Sequence, residues 1–400
     1  MTRKEIFYKF EKKKDRINDA KKVLLITHND MDASGAVISC KLAYGDNVDI
    51  IRCTNRQMSW EIKNAICNEE VAAKYDLIMA CDISCTEEDA QIIDKSLNRH
   101  KFILLDHHHT ALGLNKYPWG CVCEELLEDS KRADAYKEKE GGHSSGTSLM
   151  HDFLGSYHKN YQKLWNGFAP IEDLVFNIAA YDTWDWVNIF NKENVFPDRL
   201  DTLFKIYGPE FFEKKMFTYI FAEKMDIDLY SRDSKCLNYK DVSSFFDKTD
   251  QFVLELEDKR IRDFLERAKY TIKTGTMKIG EKYADIVYAT ETAHVQELFE
   301  YMKDHYPNAD YYFINCGGVL SIRTTKEDRH AGDFAAIYGG GGHQGAAGIN
   351  ISPLQQVELL GNIVNGTIYL DNKETRLSKF VECPEEEKIN EKKEEAEEER

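Results

Sequence analysis

Asp106-His107-His108 follows directly on the apolar run Phe102-Ile103-Leu104-Leu105. A carboxylate and two imidazoles at the end of a buried strand are costly to desolvate unless a charged partner binds there. A divalent cation, or a phosphate held by cations, offsets that cost. Three more apolar stretches end in the same chemistry. Val23-Leu24-Leu25-Ile26 leads into Thr27-His28-Asn29-Asp30-Met31-Asp32, Leu77-Ile78-Met79-Ala80 leads into Cys81-Asp82, and a helix-like stretch at 174–181 leads into Asp182. The candidate ligands are therefore His28, Asp30, Asp32, Asp82, Asp106, His107, His108 and Asp182, a set of oxygen and nitrogen donors without a thiolate. Such a set suits Mn2+ or a related first-row ion better than a structural zinc. Several carboxylates on one edge repel one another in the absence of cations. Two ions roughly 3.5–4 Å apart, bridged by a carboxylate, would relieve the repulsion and make a hydrolytic centre. Asp82, central in chain order, is the candidate bridge, and His109 is read as a loop residue.

The elements that must position these groups follow from the hydrophobic pattern. Apolar runs at 23–26, 48–51, 77–80 and 102–105 alternate with helix-like segments at 36–44, 60–73 and 86–98. Fully apolar strands in a βαβα rhythm predict a parallel sheet covered on both faces, with right-handed crossovers. In such sheets ligands bind outside the carboxyl ends of the strands. The run at 48–51 ends in Arg52-Cys53-Thr54-Asn55, which is polar but not acidic. The Gly- and Ser-rich turn Gly141-Gly142-His143-Ser144-Ser145-Gly146-Thr147 reads as a capped helix start, with support of the site as its functional reading. Residues 198–270 are mostly helical and charged, and their aromatics Phe211, Phe212, Phe217 and Phe221 are read as core. After Lys273 the pattern turns β-rich, at 284–288, 311–315 and 319–323, and a Gly-rich segment follows at 339–348. The expected organisation is an α/β chain: a catalytic domain over 1–197, a helical connector over 198–272, a smaller α/β domain over 273–380 and an acidic tail over 381–400.

Composition narrows the function classes. The chain has 400 residues, 42% of them hydrophobic, enough for more than one core. Mean hydropathy is -0.54 and no long apolar stretch occurs, which argues against a membrane span. No apolar signal core follows Met1-Thr2-Arg3-Lys4-Glu5, so a cytoplasmic protein is expected. The ten cysteines are scattered, as buried reduced thiols are, and are not a disulfide framework. A formal charge of -17 opposes binding along long duplexes, which relies on a broad basic surface. Part of that charge sits in residues 385–400, where nine Glu face three Lys and one Arg in a segment read as a solvated tail.

Taken together, the motifs resemble those of the DHH phosphoesterases. The segment from His28 to Asp32 looks like the first motif of that superfamily, Asp82 the second, Asp106-His107-His108 the third and Asp182 the fourth. Gly340-Gly341-Gly342-His343 with Ala346-Ala347-Gly348 resembles the hallmark of the DHH-associated C-terminal domain. The resemblance covers roughly residues 23–350 and is strongest to the nanoRNase B type of oligoribonuclease. It implies an active site in a cleft between two domains and Mn2+-dependent hydrolysis of very short RNA to nucleoside 5'-monophosphates, with Mg2+ or Co2+ as alternative ions. It also implies His28, Asp32, Asp82, His107 and Asp182 as ligands, joined by Asp30, with His108 facing the phosphate and Asp106 orienting a histidine. One position departs from the pattern. Many members carry a second metal-binding Asp where this chain has Ser34, so either Asp30 helps to hold the second ion or that ion is held more weakly.

The expected reaction is in-line attack on a phosphodiester by a water that the ions acidify. The C-terminal domain is expected to hold the rest of the substrate, through the backbone of Gly340, Gly341 and Gly342, through His343, and through Arg323 as a phosphate fork. The expected partners are short RNA oligonucleotides or small nucleotides, with a homodimer allowed and neither long duplex nor membrane. Rival readings are hydrolysis of cyclic di-AMP or adenosine 3',5'-bisphosphate, a longer single-strand exonuclease, and a non-catalytic nucleotide-binding regulator.

Overall fold

Four short apolar runs and a three-residue edge strand build the first sheet: β1 (Val23–Thr27), β2 (Val48–Arg52), β3 (Leu77–Cys81), β4 (Phe102–Asp106) and β5 (Gly120–Val122). In the computed structural model they pair in the order β2-β1-β3-β4-β5, and every pairing is parallel. The structure describes residues 2–130, 132–136, 142–165, 169–192, 195–222, 246–279, 282–337, 340–342 and 344–352. The expected acidic tail at 381–400 lies outside them.

Successive side chains of a strand point to opposite faces, and here both faces are apolar. Val23, Leu25, Met79, Ile103 and Leu105 enter one core, while Leu24, Ile26, Ile78, Ala80 and Leu104 enter another. Helices α1 (Met31–Tyr44) and α4 (Gly146–Tyr157) cover the first face with Ala36, Val37, Leu149 and Phe153. Helices α2 (Met58–Cys67) and α3 (Glu87–Lys95) cover the second with Ile62, Ile66, Ala90 and Ile93. The doubly covered parallel sheet expected from the fully apolar strands is therefore present. β5 has no apolar run of its own and was not anticipated; it pairs its three residues with Leu104, Leu105 and Asp106 at the sheet edge.

Register decides what happens at the carboxyl ends. Thr27 is opposite Cys81, and Cys81 is opposite Leu105. The next residues, His28, Asp82 and Asp106, thus leave the sheet at one level. The chain order also reverses direction between β1 and β3, the switch point at which open α/β sheets bind ligands.

By its contacts the chain divides into two compact units at Leu254 and Glu255, inside the helix Lys248–Ala268. Leu254 packs with the first unit's helices, whereas Phe264 and Ala268 belong to the second unit's core. Of the residues read as a connector, the helices Phe196–Tyr207 and Pro209–Ala222 pack within the first unit through Leu200, Phe204, Phe212 and Met216. Phe212 is buried and Phe217 partly so, but Phe211 is 53% exposed because neighbouring helix positions face different directions. The side chain of Phe221 lies outside the described residues. The second unit is a mixed six-stranded sheet, ordered β10-β11-β9-β8-β7-β6, in which only β7 and β8 run parallel. Its strands are β6 (Lys273–Ile279), β7 (Lys282–Thr290), β8 (Tyr311–Asn315), β9 (Val319–Arg323), β10 (Gly341–Gly342) and β11 (Ala346–Asn350). Among the described residues all eight cysteines are unpaired, six of them buried, and no helix is long and apolar enough to cross a membrane.

Helices α1 and α4 approach closely because Gly35 has no side chain: a Cβ there would lie 2.1 Å from Thr147 Oγ1. Gly35→Ala should force the two helices apart and cost about 1–3 kcal/mol. A urea midpoint equal to that of the unchanged protein would contradict this packing.

Candidate metal centre

Each candidate side chain is positioned by a local feature. Asp30 caps α1, its Oδ1 accepting the Ala33 N–H at 2.9 Å, and its Oδ2 lies 2.6 Å from His28 Nδ1. Asp32 sits in the first turn of α1 and reaches across to the first turn of α4. Its Oδ2 accepts the Gly146 N–H at 2.6 Å and its Oδ1 the Thr147 N–H at 3.0 Å. One buried carboxylate is thereby held at two helix N-termini, where unpaired amide groups favour negative charge. The Gly- and Ser-rich turn, read above as a helix start, supplies these donors. Ser145 caps α4 and exchanges hydrogen bonds with Ser148. Gly146 must be glycine for space, since a Cβ would lie 2.5 Å from Asp82 Cβ and 2.8 Å from Asp32 Oδ2.

Asp82 leaves β3 in the left-handed region, with φ of 62°, a conformation that non-glycine residues adopt at a cost and that is enriched at functional sites. Its Oδ1 is 3.2 Å from His107 Nε2. His107 Nε2 also lies 3.4 Å from Asp182 Oδ2, at the last residue of α5 (Ala169–Asp182). Asp106 is fully buried, and its Oδ1 meets His108 Nδ1 at 2.7 Å and the His107 N–H at 2.9 Å. The histidine that Asp106 holds by its side chain is therefore His108.

All eight side chains come together. Donor atoms lie within 4.8 Å of one another in three overlapping groups: Asp82, Asp106, His107 and His108; His28, Asp30 and Asp82; and Asp32, His107 and Asp182. Asp82 and His107 each belong to two of them. Two independent features fit this edge to cations. Asp82 Oδ2 and Asp106 Oδ2 are buried without a hydrogen-bond partner among the described residues, an arrangement that is expensive unless something occupies the lone pairs. Asp182 ends a helix, where the backbone dipole already disfavours negative charge.

The protonation equilibria follow from the same crowding. Burial first, and then the charges of Asp30, Asp32 and other carboxylates, push the Asp82 carboxyl well above its ordinary range. Asp182 is raised by burial and by Asp32 and Asp30. Burial and the charge of His108 lower His107, so its ring is neutral, the form in which imidazole ligates a metal. Burial alone would also lower His108, but the hydrogen bond and charge of Asp106 outweigh it and raise its pKa to about 9. The site thus carries a neutral histidine beside a cationic one.

Ser34, the position that departs from the expected pattern, is occupied by other chemistry. Ser34 Oγ is 3.2 Å from Glu213 Oε1 and 3.2 Å from Arg52 Nη2. Glu213 is buried and pairs with Arg52 and, at 3.2 Å, with Lys41 Nζ. An aspartate at position 34 would stand against this carboxylate. Arg52 also donates to the His28 carbonyl at 3.3 Å, tying the β2 end to the ligand loop. In sequence Arg52 is only a polar residue at a strand end, and nothing local marks Glu213, 161 residues away, as its partner.

The other expected substrate groups belong to the second unit. Arg323 ends β9 opposite Ala346 and Tyr312. Gly341 and Gly342 pair with Gly348 and Ala347. A Cβ at Gly342 would lie 2.4 Å from the Ala346 carbonyl and one at Gly340 2.2 Å from that of Gly348, so strand packing by itself requires glycine there. His343 lies outside the described residues.

No family model matches the chain. It is 28% identical over 335 residues to oligoribonuclease NrnB of Bacillus subtilis, an alignment covering 82% of this chain and 72% of that relative. This similarity agrees with the resemblance drawn from the motifs. Solved structures similar to the chain include RecJ in complex with Mn2+ from Thermus thermophilus, with TM-score 0.47, 13% identity, and coverage of 92% of this chain and 55% of that one. A pGpG-specific phosphodiesterase from Vibrio aligns with TM-score 0.44 and 13% identity over 86% of this chain and 98% of its own.

Two outcomes test the electrostatics. Glu213→Ala strands the part-buried Arg52 and should cost about 3–5 kcal/mol; a loss below about 1 kcal/mol in denaturant titration would show that the ion pair is replaceable. Asp82→Asn relieves repulsion, so with EDTA it should melt above the unchanged protein. Saturating Mn2+ should then stabilise the unchanged protein by at least about 2.7 kcal/mol at a hundredfold excess over Kd and the variant far less. Equal Mn2+ shifts would remove Asp82 from the centre.

Proposed function

We propose that the chain is a divalent-cation-dependent phosphodiesterase that hydrolyses very short RNA oligonucleotides to nucleoside 5'-monophosphates. The observation that carries this reading is the convergence of five aspartates and three histidines at the switch point of one sheet, two of the buried carboxylate oxygens having no hydrogen-bond partner among the described residues. The similarity to an oligoribonuclease over 82% of the chain supports the substrate class.

His28, Asp32, Asp82, His107 and Asp182, joined by Asp30, would hold two Mn2+ ions, with Asp82 as the bridge. Such ions supply an acidified water and neutralise charge on a phosphodiester. His108, kept cationic and oriented by Asp106, stabilises the negative charge that grows on the phosphoryl oxygens and can pass a proton. His107 stays neutral and Asp32 stays fixed, so neither must reorganise when substrate arrives. Arg323 binds a phosphate oxygen of the substrate through its planar donors, and Gly340, Gly341, Gly342 and His343 complete that contact.

The test is a Mn2+ activity panel on RNA of two to five nucleotides, short DNA, cyclic di-AMP and adenosine 3',5'-bisphosphate. Turnover of short RNA above the others is expected, and preference for the cyclic dinucleotide or the bisphosphate would reassign the substrate. Asp82→Ala and His107→Ala should abolish hydrolysis while near-native circular dichroism persists; full Mn2+-dependent activity in either would sink the site. Arg323→Ala should raise KM with little change in kcat, and an unchanged KM would exclude Arg323 from binding.

A further inference from the structure

A second fixed pair, His143 in the turn before α4 and Asp185 three residues beyond the end of α5, lies outside the candidate ligand set, and we propose that it is a binding subsite for a phosphate of the substrate other than the one being hydrolysed. The proposal rests on the phosphodiesterase reading and extends it to residues that neither the motifs nor the comparisons assign.

Asp185 is almost fully buried, at 1% side-chain exposure, and both its oxygens are committed. Oδ1 meets His143 Nδ1 at 2.7 Å, and Oδ2 accepts the His143 N–H at 3.0 Å and the Tyr136 hydroxyl at 2.9 Å. His143 is held at ring and backbone by one carboxylate, yet its side chain remains 56% exposed. With Nδ1 committed inward, Nε2 is the ring atom left for a ligand, and it has no hydrogen-bond partner among the described residues. The buried Arg132 lends further positive charge, donating to the His143 carbonyl at 3.4 Å and to the Tyr136 hydroxyl at 3.2 Å. The hydrogen bond that His143 donates to the Asp185 carboxylate raises its pKa above the ordinary histidine value, favouring the form in which Nε2 is a donor. The nearby Glu124 is engaged by His109, whose Nδ1 lies 2.9 Å from it.

Position gives the pair its role. His143 precedes Gly146 by three residues, and the Gly146 N–H binds Asp32. Asp185 follows Asp182 by three residues, and Asp182 lies against His107. Three residues span at most about 11 Å, so each member is tethered within that reach of a residue that touches or belongs to the candidate metal centre. The chain carries a net charge of -17 and crowds its acids on this edge, which repels an anionic substrate. A cationic ring fixed beside them offers a second phosphate a local attractive contact.

The test uses the full chain with Mn2+ and two methylene-phosphonate dinucleotide analogues that resist hydrolysis, one carrying a terminal phosphate at either end and one carrying none. Titration calorimetry reads the ratio of their affinities. His143→Gln, which keeps a hydrogen-bond donor but loses the charge, should lower that ratio at least tenfold, Asp185→Asn should lower it too, and His143→Lys should restore part of it. An unchanged ratio in His143→Gln overturns the proposal, including the case in which both analogues weaken equally because the loop has merely been disturbed. Failure of the unchanged protein to bind the phosphorylated analogue more tightly than the other overturns it as well. Hydrolysis of short RNA is read separately: its absence, with a ratio that still depends on His143, would leave the subsite standing and remove the activity.

Discussion

Mutual repulsion among buried carboxylates at the end of one sheet is the constraint on which the rest of the first unit depends. Asp32, Asp82 and Asp106 are at most 4% exposed, and Asp30 and Asp182 stand beside them. A group this crowded cannot stay ionised without compensation. The fold compensates three of the five internally: Asp30 with His28, Asp106 with His108, and Asp32 with the amide groups of α4. Asp82 and Asp182 are left with raised pKa values and only the neutral His107 between them. That uncompensated crowding is what motivates the proposal that cations bind at this edge.

The supporting architecture is organised around holding these groups still. Asp32 joins the starts of α1 and α4, and Gly35 and Gly146 allow the two helices and the Asp82 turn to approach without side chains between them. Arg52 and Lys41, both partly exposed, join the buried Ser34 and Glu213 in one network behind the His28 loop. Such a network stabilises little in net terms, because desolvation of the charges offsets their attraction. Its effect is to fix where the backbone of His28 lies. It also accounts for the serine at position 34, since the carboxylate that the family pattern places there would meet Glu213.

Preorganisation of this kind lets a site act on charge without rearranging. His107 is neutral through burial, and His108, its neighbour in sequence, is cationic through one hydrogen bond to Asp106. The two adjacent imidazoles therefore differ in protonation because the Asp106 carboxylate hydrogen-bonds only one of the two rings. His143 repeats the device, with Asp185 as its buried partner.

The candidate ligands and the strands that carry them were legible in the sequence, because buried strands are apolar throughout and an acid or histidine at their end interrupts that pattern visibly. His28, Asp82 and Asp106 could be placed on one edge from periodicity and the parallel-sheet rule alone. The glycines of the second unit read in sequence as backbone that approaches a phosphate, but their strand pairing was not legible, since a two-residue strand has no period to read. What only the tertiary structure decided are the partners distant in sequence: the Gly146 and Thr147 amides on Asp32, Glu213 on Arg52 and Ser34, and Asp185 on His143. Hydrogen bonds and ion pairs act through space over a few ångströms, whereas sequence pattern reports only the local period of burial. The kind of chemistry was therefore set by residue type and spacing, while the charge state and orientation of each group awaited the fold.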